Sequence, residues 1–255
     1  MTPSVHSSAN ALSPALSKTA AAGFIFSLIA AGIAALAGLG SRSNWWDFST
    51  ALLMLRVAVI GGLLSFAVSL AGTVITMPGT WRGGFRLSVF GIAISFIVVS
   101  VPLSWYAVAR QLPPIHDITT DTMDPPEFRA ILPLRTKAPN PADYGGPEVA
   151  ALQHKAYPDV KPLTLFTPPD RTFDQALAVV HSLGWQIVGQ DRQEGRIEAT
   201  DRTMCFGFTD DVVIRVRPES KGSRVDIRSV SRVGKSDIGT NAARIRKFLR
   251  KLSSV

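Results

Sequence analysis

The residues best suited to chemistry are arginines and aspartates in the second half of the chain. Asp210 and Asp211 precede an alternating run that carries Arg215 and Arg217. A second run carries Arg224, Asp226 and Arg228, with Arg232 and Asp237 following. Planar guanidinium groups repeated along one strand face can grip a phosphate or a carboxylate in bidentate fashion. Arg215, Arg217, Arg228 and Arg232 are therefore a candidate site for an anion or an acidic partner. The same spacing also builds a cross-strand ladder of salt bridges, which only neutralises a solvated face.

A second polar group lies in "PPIHDITTDTMDPPEF", Pro113 to Phe128. His116, Asp117, Asp121 and Asp124 suggest a metal site or the acid–base pair of a hydrolase. The spacing argues against metal. The glycine-centred calcium loop is missing, and neither His-x₃-His nor paired cysteines offer a zinc site. No metal and no cofactor are expected. In a proline-rich segment, Asp and Thr side chains are suited to accept backbone N–H groups that cannot pair in a ladder. His116, Asp117, Asp121, Asp210, Asp211 and Asp237 thus read as a structural polar cluster. "GKS" at Gly234–Ser236 has Ser229 where a phosphate loop needs glycine. No serine sits in a nucleophile elbow, and His181 is suited to the end of a helix. Cys205 is the single cysteine, so no intrachain disulfide can form.

The elements that must position these groups follow from periodicity. Thr172 with Gln175 forms a capping box, with Asp174 in the first turn. Phe173, Ala176, Leu177, Val180 and Leu183 make one apolar stripe, stopped by Gly184. Strands are expected at "WQIVGQ", "GRIEAT", "CFGFTD", "DVVIRVRP" and "SRVDIRSVS". Val212, Ile214 and Val216 oppose Arg215 and Arg217, which predicts an antiparallel sheet with one buried and one wet face. Asn241 caps a last helix in which Ile245, Phe248, Leu249 and Leu252 meet the sheet. Arg244, Arg246, Lys247, Arg250 and Lys251 of that helix face water. This order is an α+β layer sandwich with helices packed on one face.

Residues 111–169 are rich in proline and lack periodicity. Phe128, Ile131, Leu132, Leu134, Tyr144, Tyr157, Leu163 and Phe166 are too many apolar anchors for a solvated tether. An extended arm lying on the following domain is expected, with short helical turns around "PEVAALQHKAYPD".

The first half differs in kind. Of the 255 residues 46% are hydrophobic, and the apolar ones concentrate in Thr19–Gly40, Val57–Thr76 and Leu87–Ala109. Each run is long enough to cross a hydrocarbon core of about 30 Å as a helix, and none has a polar face. The first also resembles a secretory signal ending at Ala35-Leu36-Ala37, but its length and the two spans behind it favour retention. Gly61, Ser65, Ser69 and Thr73 recur every fourth position, and Gly91 and Ser95 lie in the third run. Small residues at that spacing permit close helix packing and a helix-mediated oligomer. Pro102 is expected to kink the third helix. No Asp, Glu, Lys or His lies within a span, and Arg56 sits at a helix end, so a transport or proton-relay role is disfavoured.

Short-loop arginines slightly favour a cytoplasmic N-terminus, because "PGTWRGGFR" carries two arginines and no acid. The organisation is a cytoplasmic tail at 1–18, three transmembrane helices within 19–110, the arm at 111–169 and an exported α+β domain at 170–255. A formal net charge of +8 is spread over loops, strands and the last helix without any nucleic-acid-binding motif, so no nucleic-acid partner is expected.

Three separated stretches, "IHDITTDTMDPPEF", "GRIEATDRTMCFGFTDDVVIRVRP" and "SRVDIRSVSRVGKSDIGTNAARIRKF", resemble the bacterial domain of unknown function numbered fourteen ninety-nine, which also occurs in plastids. The resemblance covers roughly Pro113 to Leu252 and implies an envelope-located domain behind a membrane anchor. It implies no reaction and no catalytic residues. Cys205 stands before "FGF" where the family pattern has a bulkier residue, which argues against a functional thiol. The expectation is an inner-membrane, multi-pass protein whose periplasmic domain binds an anionic lipid, a glycan or an envelope protein. A hydrolase using His116 and an arm aspartate is the alternative.

Overall fold

The computed structural model describes residues 15–80 and 82–254, so most of the expected N-terminal tail lies outside the described residues. The fold divides into two units. One holds the described residues up to Ala37 together with Ser49–Ser104; the other holds Gly38–Phe48 together with the residues from Trp105 onward.

In the first unit a two-residue parallel bridge joins β1 (Ala15–Leu16) to β2 (Arg82–Gly83). Three helices supply the rest: α1 (Lys18–Arg42), α2 (Phe48–Ile75) and α3 (Phe85–Gln111), of which the end of α1 from Gly38, Phe48 of α2 and the end of α3 from Trp105 belong to the second unit. All three are long and apolar enough to cross a membrane. Each outruns its apolar core, α2 most of all. Helix-favouring residues continue from Phe48 to Leu55 with no glycine or proline to stop them. Arg56, expected at a helix end, therefore lies well inside α2 on an exposed face.

The packing of these helices is inverted relative to a water-soluble bundle. Ala58, Gly62, Ser65, Ser69 and Gly72 of α2 are buried, as are Ser88, Gly91 and Ser95 of α3. Leu64 is 65% exposed and Phe96 63%. Large apolar side chains facing outward over small buried ones suit a hydrocarbon solvent, where burial of apolar surface brings no gain. Ser65 and Ser95 join their hydroxyls at 2.7 Å, and Ser65 also reaches the Gly23 carbonyl at 3.2 Å. The small-residue stripe runs through Ser65 and Ser69 as expected. Its flanks differ, because Gly62 and Gly72 are fully buried while Gly61 and Thr73 are only half-buried. A Cβ on Gly72 would fall 2.7 Å from Ser88 Oγ, so a larger residue there would separate the helices.

The second unit is built on one antiparallel sheet. Its strands are β3 (Asp117–Thr119), β4 (Leu163–Leu165), β5 (Gln186–Asp191), β6 (Arg196–Arg202), β7 (Thr209–Glu219) and β8 (Gly222–Ser231). The order is β3-β8-β7-β6-β5, with β4 also pairing with β8. The expected arm thus supplies two short strands, both on the outer edge of β8. Ile214 stands opposite Ile197 and Ile227, and this face packs beneath α5 (Pro169–Ser182) and α6 (Thr240–Leu252). Trp185 stacks on Phe248 at 5.9 Å in that core. "PEVAALQHKAYPD" forms more than turns: α4 (Gly146–Ala156) is a full helix. Its buried Gln153 donates to the Thr119 carbonyl at 2.7 Å and accepts from the Thr119 N–H at 2.9 Å. That side chain closes the outer edge of β3 as a further strand would.

Several local expectations change. Pro169 at the first helical position starts α5 a turn early. Thr172 consequently makes no capping box; it is buried and bonded to Thr167 Oγ1 at 2.6 Å and Ser223 Oγ at 2.7 Å. "CFGFTD" is not a separate strand: Cys205–Phe208 belong to a turn, and Thr209 and Asp210 begin β7. The Thr203 N–H donates to the Phe208 carbonyl at 2.9 Å, and Gly207 takes a φ of +66°. A Cβ at Gly207 would lie 2.7 Å from Arg42 Cα. Gly239, left-handed at φ +77°, begins α6. Asp237 accepts from the N–H groups of Gly239 and Asn241 at 3.1 and 2.6 Å, so Asp237 serves where Asn241 was expected to cap. Arg244, expected in water, is buried by Asp201 and Asp210. Of the arm's anchors, Phe128, Ile131 and Tyr157 are buried, whereas Leu132, Leu134 and Phe166 are exposed.

Candidate functional site

The second face of the sheet, expected to be wet, is covered. Residues from Asp121 to Ala142 fold back over it, and Phe128 and Ile131 pack against Val213 and Val230 with Ala142 and Val188. The charged residues that alternate with the core are therefore enclosed. Asp226 is 0% exposed and Arg228 2%. Ions taken out of water must be paired and hydrogen-bonded, and here they are.

Arg228 is held by Asp117 through Nε to Oδ1 at 2.9 Å and Nη2 to Oδ2 at 2.7 Å. It also donates to the carbonyls of Pro126 at 3.2 Å and Ala142 at 2.7 Å. Phe128 and Tyr144 flank its guanidinium at 5.2 and 5.5 Å. Burial pushes the Tyr144 hydroxyl up to about 12, with the Asp117 charge adding to it and Arg228 opposing.

Further along β8, the Asp226 carboxylate takes bonds from Arg215 and Arg217 at 3.1 Å each and from Arg224 at 3.0 Å. Arg224 also reaches Asp121 at 2.7 Å, and Arg217 reaches Asp124 at 2.6 Å. That last bond holds the Asp124 carboxyl below its ordinary range. Asp121 serves the backbone as well, accepting from the N–H groups of Met123 and Asp124 at 3.1 and 3.0 Å. At the other end Asp211 is gripped bidentately by Arg232, at 2.9 and 2.8 Å, and by the buried Arg135.

The arginine–aspartate pattern is thus realised as an ion-pair network that ties the arm to the sheet. Arg215, Arg217, Arg228 and Arg232 are all engaged, yet Arg217 and Arg232 keep part of their side chains accessible. His116, Asp117, Asp121, Asp210, Asp211 and Asp237 do not converge. Asp117, Asp121 and Asp211 lie on the arm-covered face. Asp210 and Asp237 lie on the helix-covered side, Asp210 with Arg244 and Asp237 at the start of α6. His116 stands between them, and its carbonyl accepts from Ser231 N–H and Asn241 Nδ2, both at 3.0 Å. Burial lowers the pKa of its ring, and Arg135 adds to that; Asp117 and the Lys235 backbone pull the other way. Burial raises Asp237 against the two N–H groups it accepts. Among the described residues no three His, Cys, Asp or Glu side chains could hold a metal ion.

Sequence reasoning missed Glu198. It is buried in β6 and accepts the N–H groups of Arg129, Ala130 and Ile131 at 3.0 Å. Arg196 adds an ion pair at 3.0 Å. An acid at a central position of a strand was the available signal.

Together these observations describe a rigid module held by charge on one face and by apolar packing on the other. A family model described as protein of unknown function, DUF1499, matches residues 117–252, more than half of the chain, and the chain belongs to that family. No curated protein matches it.

Proposed function

We propose that this is a multi-pass protein of the bacterial inner membrane whose α+β domain stands on the periplasmic side and binds a component of the envelope at the bilayer surface. Binding rather than catalysis is the role the geometry supports. The arm aspartates that a hydrolase would pair with His116 are already committed to arginines, Asp117 to Arg228, Asp121 to Arg224 and Asp124 to Arg217.

The observation that carries this reading is the shortness of the link between α3 and the sheet. Only Leu112–His116 separate the end of α3 from β3, a stretch spanning at most about 18 Å even when fully extended. Ile115 within it is buried in the sheet's core, and its N–H bonds the Pro113 carbonyl at 2.8 Å. Such a domain has no tether with which to search for distant ligands. An anionic group or acidic partner approaching the sheet would meet Arg217 and Arg232 first, because Arg228 is sealed behind Asp117 and Arg215 is mostly covered.

A C-terminal reporter fusion, paired with protease treatment of intact spheroplasts, tests the placement. Activity of a periplasm-dependent reporter and digestion of the domain before lysis are expected. A domain that is protected until lysis would overturn the proposed topology.

A further inference from the structure

Where the chain turns between α1 and α2, the second unit has an open cavity of about 250 Å³. One wall is the linker, with Asn44, Trp46, Asp47 and Phe48; the other is Leu134 to Pro139 of the arm, and Arg232 closes one side. The linker is fixed. Arg42 Nη1 donates to the carbonyls of Thr203 and Met204 at 3.0 and 2.8 Å, and Ser41 Oγ donates to the Phe206 carbonyl at 2.9 Å. Phe48 packs edge-on against Phe208 at 5.0 Å.

Four features of this cavity point to one class of ligand. First, the linker joins two spans, so it lies at the bilayer surface wherever α1 and α2 cross. Second, the cavity is partly apolar although it opens to water: Trp46, Leu134, Phe208 and Val233 line it, Leu134 is 54% exposed, and Trp45 next to Trp46 in the linker is exposed as well. Exposed tryptophan and aliphatic side chains at the end of a span are the signature of headgroup depth. Third, Lys137 lines the cavity, is exposed, and has no hydrogen-bond or ion-pair partner among the described residues. Fourth, Arg232 spends three of its five N–H groups on Asp211 and the Leu134 carbonyl. One N–H on each end nitrogen remains, and 21% of the side chain stays accessible. A free ammonium and a half-used guanidinium outnumber the one carboxylate that lines the cavity, Asp47, and suit a tetrahedral phosphate oxyanion. An apolar rim suits the chains attached to it.

We propose that this cavity seats the phosphate of an anionic phospholipid, with Lys137 and Arg232 on the phosphate and Leu134 against the acyl region. The proposal deepens the reading given above by naming the ligand class, and it rests on that reading only in requiring that the helices lie in a bilayer.

The test uses the full chain in nanodiscs of phosphatidylcholine doped with phosphatidylglycerol, with the lipids retained on extraction read by native mass spectrometry. Enrichment of phosphatidylglycerol over its fraction in the disc is expected. Lys137→Glu should lower that enrichment at least about fivefold, since one basic residue near an anionic surface is worth about 1 kcal/mol. Leu134→Asp should lower it as well. Lys221→Glu should not, because the β7–β8 turn lies about 33 Å away along β7. Equal enrichment in Lys137→Glu and wild type, with both thermally intact, overturns the proposal. If Lys137→Glu fails to fold, the Leu134→Asp and Lys221→Glu pair decides. Glycerol 3-phosphate and inorganic phosphate are added in separate arms; displacement of the lipid by either at millimolar concentration would reassign the site to free phosphate. Discs have no sidedness, so a domain found in the cytoplasm would overturn the topology without touching this result.

Discussion

Replacing Asp117 by asparagine should loosen the arm and destabilise the second unit out of proportion to so small a change. The wild-type carboxylate makes two bonds to Arg228, at 2.9 and 2.7 Å, and both residues are buried. Removing one charge of a buried pair costs about 3–5 kcal/mol, because the other is left without compensation. Arg228 would keep its bonds to the Pro126 and Ala142 carbonyls and its two aromatic neighbours, so the lower end, about 3 kcal/mol, is expected. At about 2–4 °C per kcal/mol for a domain of this size, the melting point should fall by about 6–12 °C. The double variant Asp117→Leu, Arg228→Met removes both charges and should recover most of that loss. Thermal unfolding of the full chain in detergent, followed by near-ultraviolet circular dichroism, measures Asp117→Asn and, with the singles Asp117→Leu and Arg228→Met, all four corners of the cycle. A loss below about 1 kcal/mol for Asp117→Asn, or a double variant as unstable as the sum of its singles, would refute the argument that the pair is buried and coupled.

Glu198→Gln should cost about 1–3 kcal/mol, since the amide nitrogen cannot accept the N–H groups that the carboxylate holds. Amide exchange should accelerate selectively at Arg129, Ala130 and Ile131, and unchanged exchange there would remove Glu198 from the stapling role. His116 gives a pH dependence of defined sign. Its pKa is lowered on folding, so the unfolded chain binds more protons below the ordinary imidazole value of about 6.5, and stability is lost as the pH falls through that window. His116→Asn should flatten this slope in a melting-temperature series, whereas an unaltered slope would assign it elsewhere. The raised Asp237 has the opposite sign: its contribution is present at low pH and is lost as pH rises through its folded value.

Much of the architecture is legible in the residues. Uninterrupted apolar runs have only one comfortable solvent, and the stripe of α5 and the alternation of β7 and β8 leave few alternatives to a helix-covered sheet. What escaped is long-range. A strand of alternating valine and arginine reads as half-wet because nothing in its own pattern reveals what covers it. Here the cover comes from about a hundred residues upstream, where a proline-rich segment brings Asp117, Asp121 and Asp124 onto the arginines. Arg244 was misjudged for the same reason, since its partners Asp201 and Asp210 lie on strands rather than on its own helix. Local rules also competed. Pro169 displaced the cap expected from Thr172, and Gly207 made a turn of a stretch whose phenylalanines suggest a strand.

Burying so many ion pairs is a poor way to gain stability, because well-packed apolar residues of similar volume do as well or better. Register offers a physical reason for them. The arm joins the sheet through β3 and β4, each three residues long, too short for hydrogen bonds alone to resist a slip. Slipping β3 by one residue would turn every side chain to the opposite face. Asp117 would enter the apolar core between β8 and α6, and Ile118 would be set against the guanidinium of Arg228. Both errors are large, whereas an apolar arm on an apolar face would tolerate several alignments. The charges therefore specify which arrangement forms rather than how firmly it holds. The double variant Asp117→Leu, Arg228→Met should accordingly melt near the wild-type temperature while showing more than one set of amide exchange rates across Asp117–Thr119. A single set matching wild type would mean that the β3 register is fixed instead by the Gln153 bonds and by Thr120, whose N–H donates to the Ile227 carbonyl at 3.0 Å and whose hydroxyl accepts from the Ile227 N–H at 2.9 Å.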